Sequence, residues 1–93
     1  MDTREARKIL LEVISDLRKL SYEELSRFMD EPGLLEITGD SGTWYQLEII
    51  VFIDDPKVQT LRVSVGIDDG GWRAFCPVTD DFIIAPDGSF VGE

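Results

Sequence analysis

The sequence predicts an α+β fold in which two N-terminal helices pack on one face of an antiparallel four- to five-stranded β-meander, a two-layer sandwich. Three observations predict it. Apolar residues recur at helical spacing near the N-terminus, and they alternate with a period of two over residues 43–53. Short segments rich in Asp, Gly and Pro then separate the later strand-like runs. Residues 1–93 are expected to form a single domain with a modest core.

The first helix is predicted to begin at Asp2 or Thr3, either of which can cap it, and to run to about Lys19. Its buried stripe consists of apolar residues three or four positions apart, namely Ala6, Ile9, Leu10, Val13, Leu17 and Leu20. Leu11 lies off this stripe. A solvated outer face is therefore expected.

A second, shorter helix is predicted from Ser21 to about Met29, with Leu25 and Phe28 facing inward. Ser21 followed three residues later by Glu24 is a capping box, which satisfies two of the free amide groups at a helix start. The dipeptide at positions 32–33, Pro-Gly, stops the helix. A short strand over residues 34–38 and a loop over 39–42 then lead to the central strand.

The central strand, residues 43–53, carries only apolar side chains at its odd positions, which predicts a core-facing side. Its even positions are mixed, with polar residues in the middle and apolar residues at the ends. We expect this even face to form a surface for a partner or a second copy, with Trp44, Ile50, Phe52, Arg62, Arg73 and Phe75 as its members. The alternative is that residues 82–91 fold back and cover Ile50, Phe52 and Phe75.

The hairpin at residues 54–57 must keep apolar residues opposite apolar residues. A simple four-residue loop would pair Ile53 with Val58, so a three- or five-residue loop, or a bulge, is predicted instead. Pairing Ile53 with Gln59 would align Val51 with Leu61. The sequence therefore predicts that the connection has an odd number of residues or contains a bulge, and it also predicts the register of the two strands.

Asp69-Gly70 is predicted to be the turn of a second tight hairpin, because Asp-Gly tolerates the positive φ angles of a type I′ turn. Ile67 would then face Trp72, and Val63 would face Cys76. Residues 82–84 and 90–91 are predicted to form a fifth strand or an apolar strap along an edge.

The composition narrows the functional classes. The net charge is −10, of which −9 lies in residues 31–93, so nucleic acid is disfavoured as a partner. No apolar run is long enough for a membrane helix, and the N-terminus lacks the apolar core of a signal peptide. A cytoplasmic location is expected. The absence of His and the core-facing position predicted for Cys76 argue against an enzyme, and no cofactor is expected.

No metal site is predicted, although Asp doublets offer candidate oxygen ligands for Ca²⁺. Asp54 and Asp55 are expected at the same end of the sheet as Asp80 and Asp81, with loops that start about 10 Å apart. No segment has the ligand spacing of a calcium-binding loop. A cross-strand ion pair between Glu48 and Arg62 is expected to explain the one carboxylate inside an apolar run.

The tail GWRAFCPVTDDFIIAPDGSFVGE, preceded by GTWYQLEIIVFID, resembles a group of small uncharacterised bacterial proteins that share this sheet-and-tail pattern. The resemblance covers residues 43–93. It implies a bacterial, cytoplasmic, single-domain protein, and it implies no activity and no catalytic or binding residue.

Three functional hypotheses remain open. The first is a small acidic, non-catalytic protein-interaction domain that uses the helix-free sheet face to bind a partner or to dimerise. The second is an acidic inhibitor or immunity-type protein that blocks a basic site, which the charge favours. The third is a small enzyme subunit, which would need a pocket that the sequence does not indicate.

Overall fold

The computed structural model describes residues 2–70 and 78–93. These residues form two helices, a 3₁₀ turn and four strands: α1 (Thr3–Leu17), α2 (Tyr22–Ser26), the 3₁₀ turn Arg27–Met29, β1 (Gly33–Thr38), β2 (Trp44–Asp55), β3 (Thr60–Asp68) and β4 (Val78–Ile84). The strands form an antiparallel sheet in chain order, β1-β2-β3-β4. The predicted α+β class is confirmed.

Both helix starts follow from their capping residues. The Asp2 side chain accepts hydrogen bonds from the first-turn amides of α1, and the helix ends at Leu17, two residues before the predicted end. The capping box of α2 is confirmed, since Ser21 and Glu24 each accept a hydrogen bond at 3.0 Å from the other's backbone amide. α2 ends at Ser26 and continues as the 3₁₀ turn, so only part of the predicted second helix is α-helical.

The core lies between the helices and the odd positions of β2 and β3. Within the described residues, the buried side chains of α1 and of these strands form a hydrophobic cluster. α1 packs on β3 and β4, while the 3₁₀ turn packs on β2. The strand members are Tyr45, Leu47, Ile49, Val51, Leu61, Val63, Val65 and Ile67. The odd-face prediction fails only at Ile53, which is 38% exposed at the end of the ladder.

The β2–β3 hairpin contains the predicted bulge, but its register differs from the predicted one by two residues. Ile53 pairs with Leu61 rather than with Gln59, and the register shifts between Ile53 and Asp55, which pairs with Thr60. Residues 56–59 fit entirely within the turn, where Gln59 adopts a φ of 58°. Asp54 is the extra residue of the bulge. Because of it, the apolar residues of β2 and β3 lie on the same face of the sheet.

The predicted tight hairpin after β3 is wrong. Residues 71–77, which include the expected partners Trp72 and Cys76, lie outside the described part of the chain. The neighbour of β3 is β4, in which Ile67 pairs with Val78 and Val63 pairs with Phe82. β2 pairs with the other edge of β3. Both edges of β3 are therefore already hydrogen-bonded at residues 61–67.

The C-terminal segment does not cover the even face of the sheet. Phe90 forms an isolated bridge with Ile84, and the Val91 amide donates to the Ile83 carbonyl at 2.9 Å. Phe90 packs against the helix-side core, with its ring centroid 5.7 Å from that of Phe82. The alternative in which residues 82–91 cover Ile50 and Phe52 is therefore wrong. The described residues contain four strands, and the C-terminal segment is a strap.

Candidate protein-interaction surface

The sheet face opposite the helices is formed by the even positions of β1, β2 and β3 and by the odd positions of β4. We call it the open face. Trp44, Ile50 and Phe52 lie on it and are 41%, 41% and 45% exposed. The prediction that these large apolar side chains share one face of β2 agrees with the register. A face that meets only water would alternate with polar residues more cleanly.

The register divides these predicted residues into two groups. Phe52 lies opposite Arg62, and Ile50 lies opposite Ser64. Trp44 is six residues from Ile50, which is about 20 Å along an extended strand. It lies opposite Thr38, and its ring is 3.5 Å from where a side chain on Gly70 would begin. Trp44 is therefore part of the opposite end of the open face.

Two apolar residues that the sequence did not single out complete the group around Ile50 and Phe52. Leu34 on β1 is 62% exposed and lies opposite Glu48, diagonally from Ile50. Ile83 on β4 lies opposite Arg62 and is half-buried. Their positions depend on the pairing of β1 and β4, which a single strand does not reveal. We call Leu34, Ile50, Phe52 and Ile83 the open-face patch.

Arg62 lies between Phe52 and Ile83 and is held by two carboxylates. Its Nε donates to Asp54 Oδ1 at 2.9 Å, and its guanidinium also donates to Asp81 Oδ2 at 2.7 Å. The hydrogen bond to Asp81, followed by that to Asp54, raises the pKa of Arg62 above its ordinary value. The expected Glu48–Arg62 pair is wrong, because Glu48 lies opposite Gly66, four residues along β3 from Arg62.

The surroundings of the open-face patch are acidic. Among the residues that the structure describes, Arg62 is the cation beside the patch, and its charge is more than balanced by Asp54 and Asp81. Glu48 and Glu36 lie on the same face, next to Leu34 along the sheet. The patch thus combines exposed apolar side chains with a rim that carries net negative charge.

The four Asp residues considered for calcium are used in different ways. Asp54 and Asp81 converge on Arg62, so a guanidinium occupies the position between them. Asp55 accepts a hydrogen bond from the Lys57 amide in the turn, and Asp80 accepts one from the Asp81 amide. Within residues 2–70 and 78–93, the acidic side chains form no group of three that could hold a metal ion.

Arg73 and Phe75, the remaining members of the predicted surface, lie outside the described residues, as does Cys76. In the described part of the chain, neither helix is long and apolar enough to cross a membrane. Comparisons of the chain with protein-family models, with curated proteins and with solved structures found no match. The geometry of the open face is therefore the basis for a functional proposal.

Proposed function

We propose that this protein is a non-catalytic interaction domain whose open-face patch binds another protein in the cytoplasm. The exposure of Leu34 on β1 and of Ile50 and Phe52 on the neighbouring strand β2 supports this most directly. Interface centres are enriched in large apolar side chains, often with Arg nearby. The two helices and the C-terminal strap pack on the other face and leave this one open.

The rim of the patch favours a partner whose contact surface is apolar at its centre and bears Lys or Arg at its margin. Glu36, Glu48, Asp54 and Asp81 would face those cations, and opposite charges steer association and select the partner. A second copy is a poorer fit, because it would bring the same acidic rim and another net charge of −10 to the interface.

Two variants of equal charge test the proposal. Phe52→Asp places a carboxylate in the patch, whereas Val58→Asp places one at a hairpin residue that is 58% exposed and outside the patch. Each protein is immobilised, and the lysate proteins that bind are quantified by mass spectrometry. A partner of the patch is expected to bind the wild type and Val58→Asp but to be at least about tenfold depleted with Phe52→Asp.

The captured protein is then purified and titrated against the wild type and both variants, all of which must unfold with the same cooperative transition. Direct binding that Phe52→Asp weakens and Val58→Asp leaves intact supports the proposal. Equal binding by both variants contradicts it. A captured protein that is another copy of this chain contradicts the heteromeric form, and light scattering would then show a dimer.

An acidic inhibitor is the second candidate, and one row of the open face favours it. Glu36, Gln46 and Asp68 lie side by side across β1, β2 and β3, between the patch and Trp44. Binding through this row would depend on charge and would be lost at about 1 M salt, where the Debye length is only about 3 Å. Binding through the patch would persist at that salt concentration.

A further inference from the structure

The outer edge of β1 has a defined set of free backbone groups. Near the β1–β2 turn, the Gly39 amide donates to the Thr43 carbonyl at 2.8 Å. Antiparallel strands alternate between hydrogen-bonded and non-hydrogen-bonded pairs, so Ile37, Leu35 and Gly33 form the hydrogen-bonded pairs with β2. The amides and carbonyls of Leu34, Glu36 and Thr38 therefore point away from β2. No backbone hydrogen bond from another described segment reaches these three residues.

The side chains of β1 leave this edge accessible from both faces. Leu34 is 62% exposed on the open face, and Leu35 is 39% exposed on the helix side. The helix-side packing falls mainly on the other strands, with α1 on β3 and β4 and the 3₁₀ turn on β2. Proteins usually protect a free edge with charge, Pro, a bulge or a covering segment. Within β1 itself, Glu36 is the charged residue.

Acidic groups border β1 on both sides. On the helix side, a cleft at the Thr38 end and another at the Gly33 end are lined by Glu5, Glu12, Asp40, Glu24 and Glu31, with Lys8 and Arg27 as the cations. Glu36 and Glu48 lie on the open face. Carboxylates thus outnumber cations around an edge that exposes Leu34 and Leu35 together with Glu36 and Thr38.

We infer that the outer edge of β1 binds an extended segment of another protein, with alternating apolar and basic residues, as an added β-strand. The backbone of that segment bonds to Leu34, Glu36 and Thr38. Its apolar side chains lie on the helix side beside Leu35, and its cations lie on the open face, where they meet Glu36 and Glu48. This edge binds through backbone groups that the open-face patch does not use, although Leu34 and Glu36 border both surfaces.

A second copy of β1 is a poorer occupant. Antiparallel pairing of β1 with itself, with the helices on the same side, centres on either Leu35 or Glu36. The first register places Leu34 opposite Glu36, and the second places Glu36 opposite Glu36, where like charges destabilise the pair. A segment with Lys or Arg opposite Glu36 pairs opposite charges at that position instead of like charges.

The probe is an acetylated and amidated heptapeptide, Lys-Val-Lys-Val-Lys-Val-Lys, titrated into the full chain at low salt. Amide hydrogen exchange by NMR is expected to slow at Leu34, Glu36 and Thr38, whose amides point outward. The amides of Leu35 and Ile37 are already bonded to β2 and are expected to change little. A peptide with Glu in place of Lys is expected not to bind.

Two substitutions at one position separate the backbone from the charge. Glu36→Gln removes only the carboxylate, whereas Glu36→Pro also removes an outward amide that the β1–β2 ladder does not use. Glu36→Pro is expected to bind at least about tenfold more weakly than Glu36→Gln. If Glu36→Pro does not fold, the peptide with all backbone amides N-methylated replaces it and is expected to lose the same affinity.

The inference is overturned if Glu36→Pro and Glu36→Gln bind the Lys peptide with equal affinity. It is also overturned if the N-methylated peptide binds as tightly as the unmethylated Lys peptide. Binding of the peptide without slower exchange at the three outward amides overturns it as well. Slower exchange there as the protein concentration rises, with no peptide present, would assign the edge to a second copy and would also overturn it.

Discussion

At the scale of single residues, the Glu5 side chain connects α1 to the sheet through hydrogen bonds. Its carboxylate accepts hydrogen bonds from the Ser41 amide at 2.9 Å, the Ser41 hydroxyl at 2.6 Å and the Tyr45 hydroxyl at 2.7 Å. Tyr45 is fully buried. A Cβ on Gly39 would lie 2.6 Å from this carboxyl group, so a larger residue there would displace the Glu5 carboxylate from these hydrogen bonds. The start of α1 is thereby fixed to the β1–β2 connection.

These hydrogen bonds predict a pH dependence. The Ser41 hydroxyl, followed by Tyr45, lowers the pKa of Glu5 below its ordinary value of 4.5. A carboxylate whose pKa is lower in the folded state stabilises the fold fully above its unfolded pKa, and this stabilisation is lost as the pH falls. Glu5→Gln is therefore expected to lose less unfolding free energy between pH 6 and pH 3 than the wild type. Urea unfolding at both pH values measures this.

Tyr45→Phe serves as the matched variant, since it removes one of the donors to Glu5 without removing the carboxylate. Burial, followed by the hydrogen bond to Glu5, raises the pKa of Tyr45 to about 12. Loss of this hydrogen bond is expected to cost about 1 kcal/mol at pH 7. The role given to Glu5 would be contradicted if the free energy of unfolding falls by the same amount between pH 6 and pH 3 in Glu5→Gln and in the wild type.

At the scale of elements, the C-terminal strap is held by Arg18 at the end of α1. The Arg18 guanidinium carbon lies 4.0 Å from the ring centroid of Phe90 and 5.5 Å from that of Phe82. Arg18 also pairs with Glu93 at 2.5 Å. The contact between a cation and an aromatic ring stabilises the strap, in addition to the stabilisation from the apolar area that Phe90 buries. The strap therefore closes the helix-side core beside β4.

Phe90→Ala is expected to lower the free energy of unfolding by about 2 kcal/mol, because Phe82 and Arg18 both lose their packing partner. The matched control is Val91→Ala, at a neighbouring residue that is 45% exposed, and its cost is expected to stay below about 0.5 kcal/mol. Urea unfolding measures both. Similar costs for the two variants would mean that the strap adds nothing to the core.

At the scale of the whole molecule, the net charge of −10 on 93 residues works against compactness. Raising NaCl from 10 to 300 mM is expected to increase the melting temperature by about 4 °C, or roughly 1 kcal/mol, because salt screens the repulsion among carboxylates. Choline chloride at equal ionic strength is the control and should act equally. A lower melting temperature in NaCl would instead mean that ion pairs such as Arg62–Asp81 dominate.

The sequence by itself determined the features that depend on neighbours a few residues apart. The side chain of Asp2 and the Ser21–Glu24 capping box determined where the helices begin. Alternation in β2 predicted its buried face. The need to keep apolar residues opposite one another predicted a three- or five-residue loop, or a bulge, before Thr60, and the structure has the bulge. For the candidate surface, the same alternation placed Trp44, Ile50 and Phe52 on one face.

Only the tertiary structure decided which segments pair, and therefore which of those residues lie together. Asp69-Gly70 is a local turn signal, but β4 offers Phe82 and Ile84, which are buried opposite Val63 and Leu61. The addition of Leu34 and Ile83 to the patch, and the separation of Trp44 from it, depend on this pairing. Glu5 meets Tyr45 across 40 positions. Such contacts depend on burial summed over the whole sheet, which no local pattern of residues encodes.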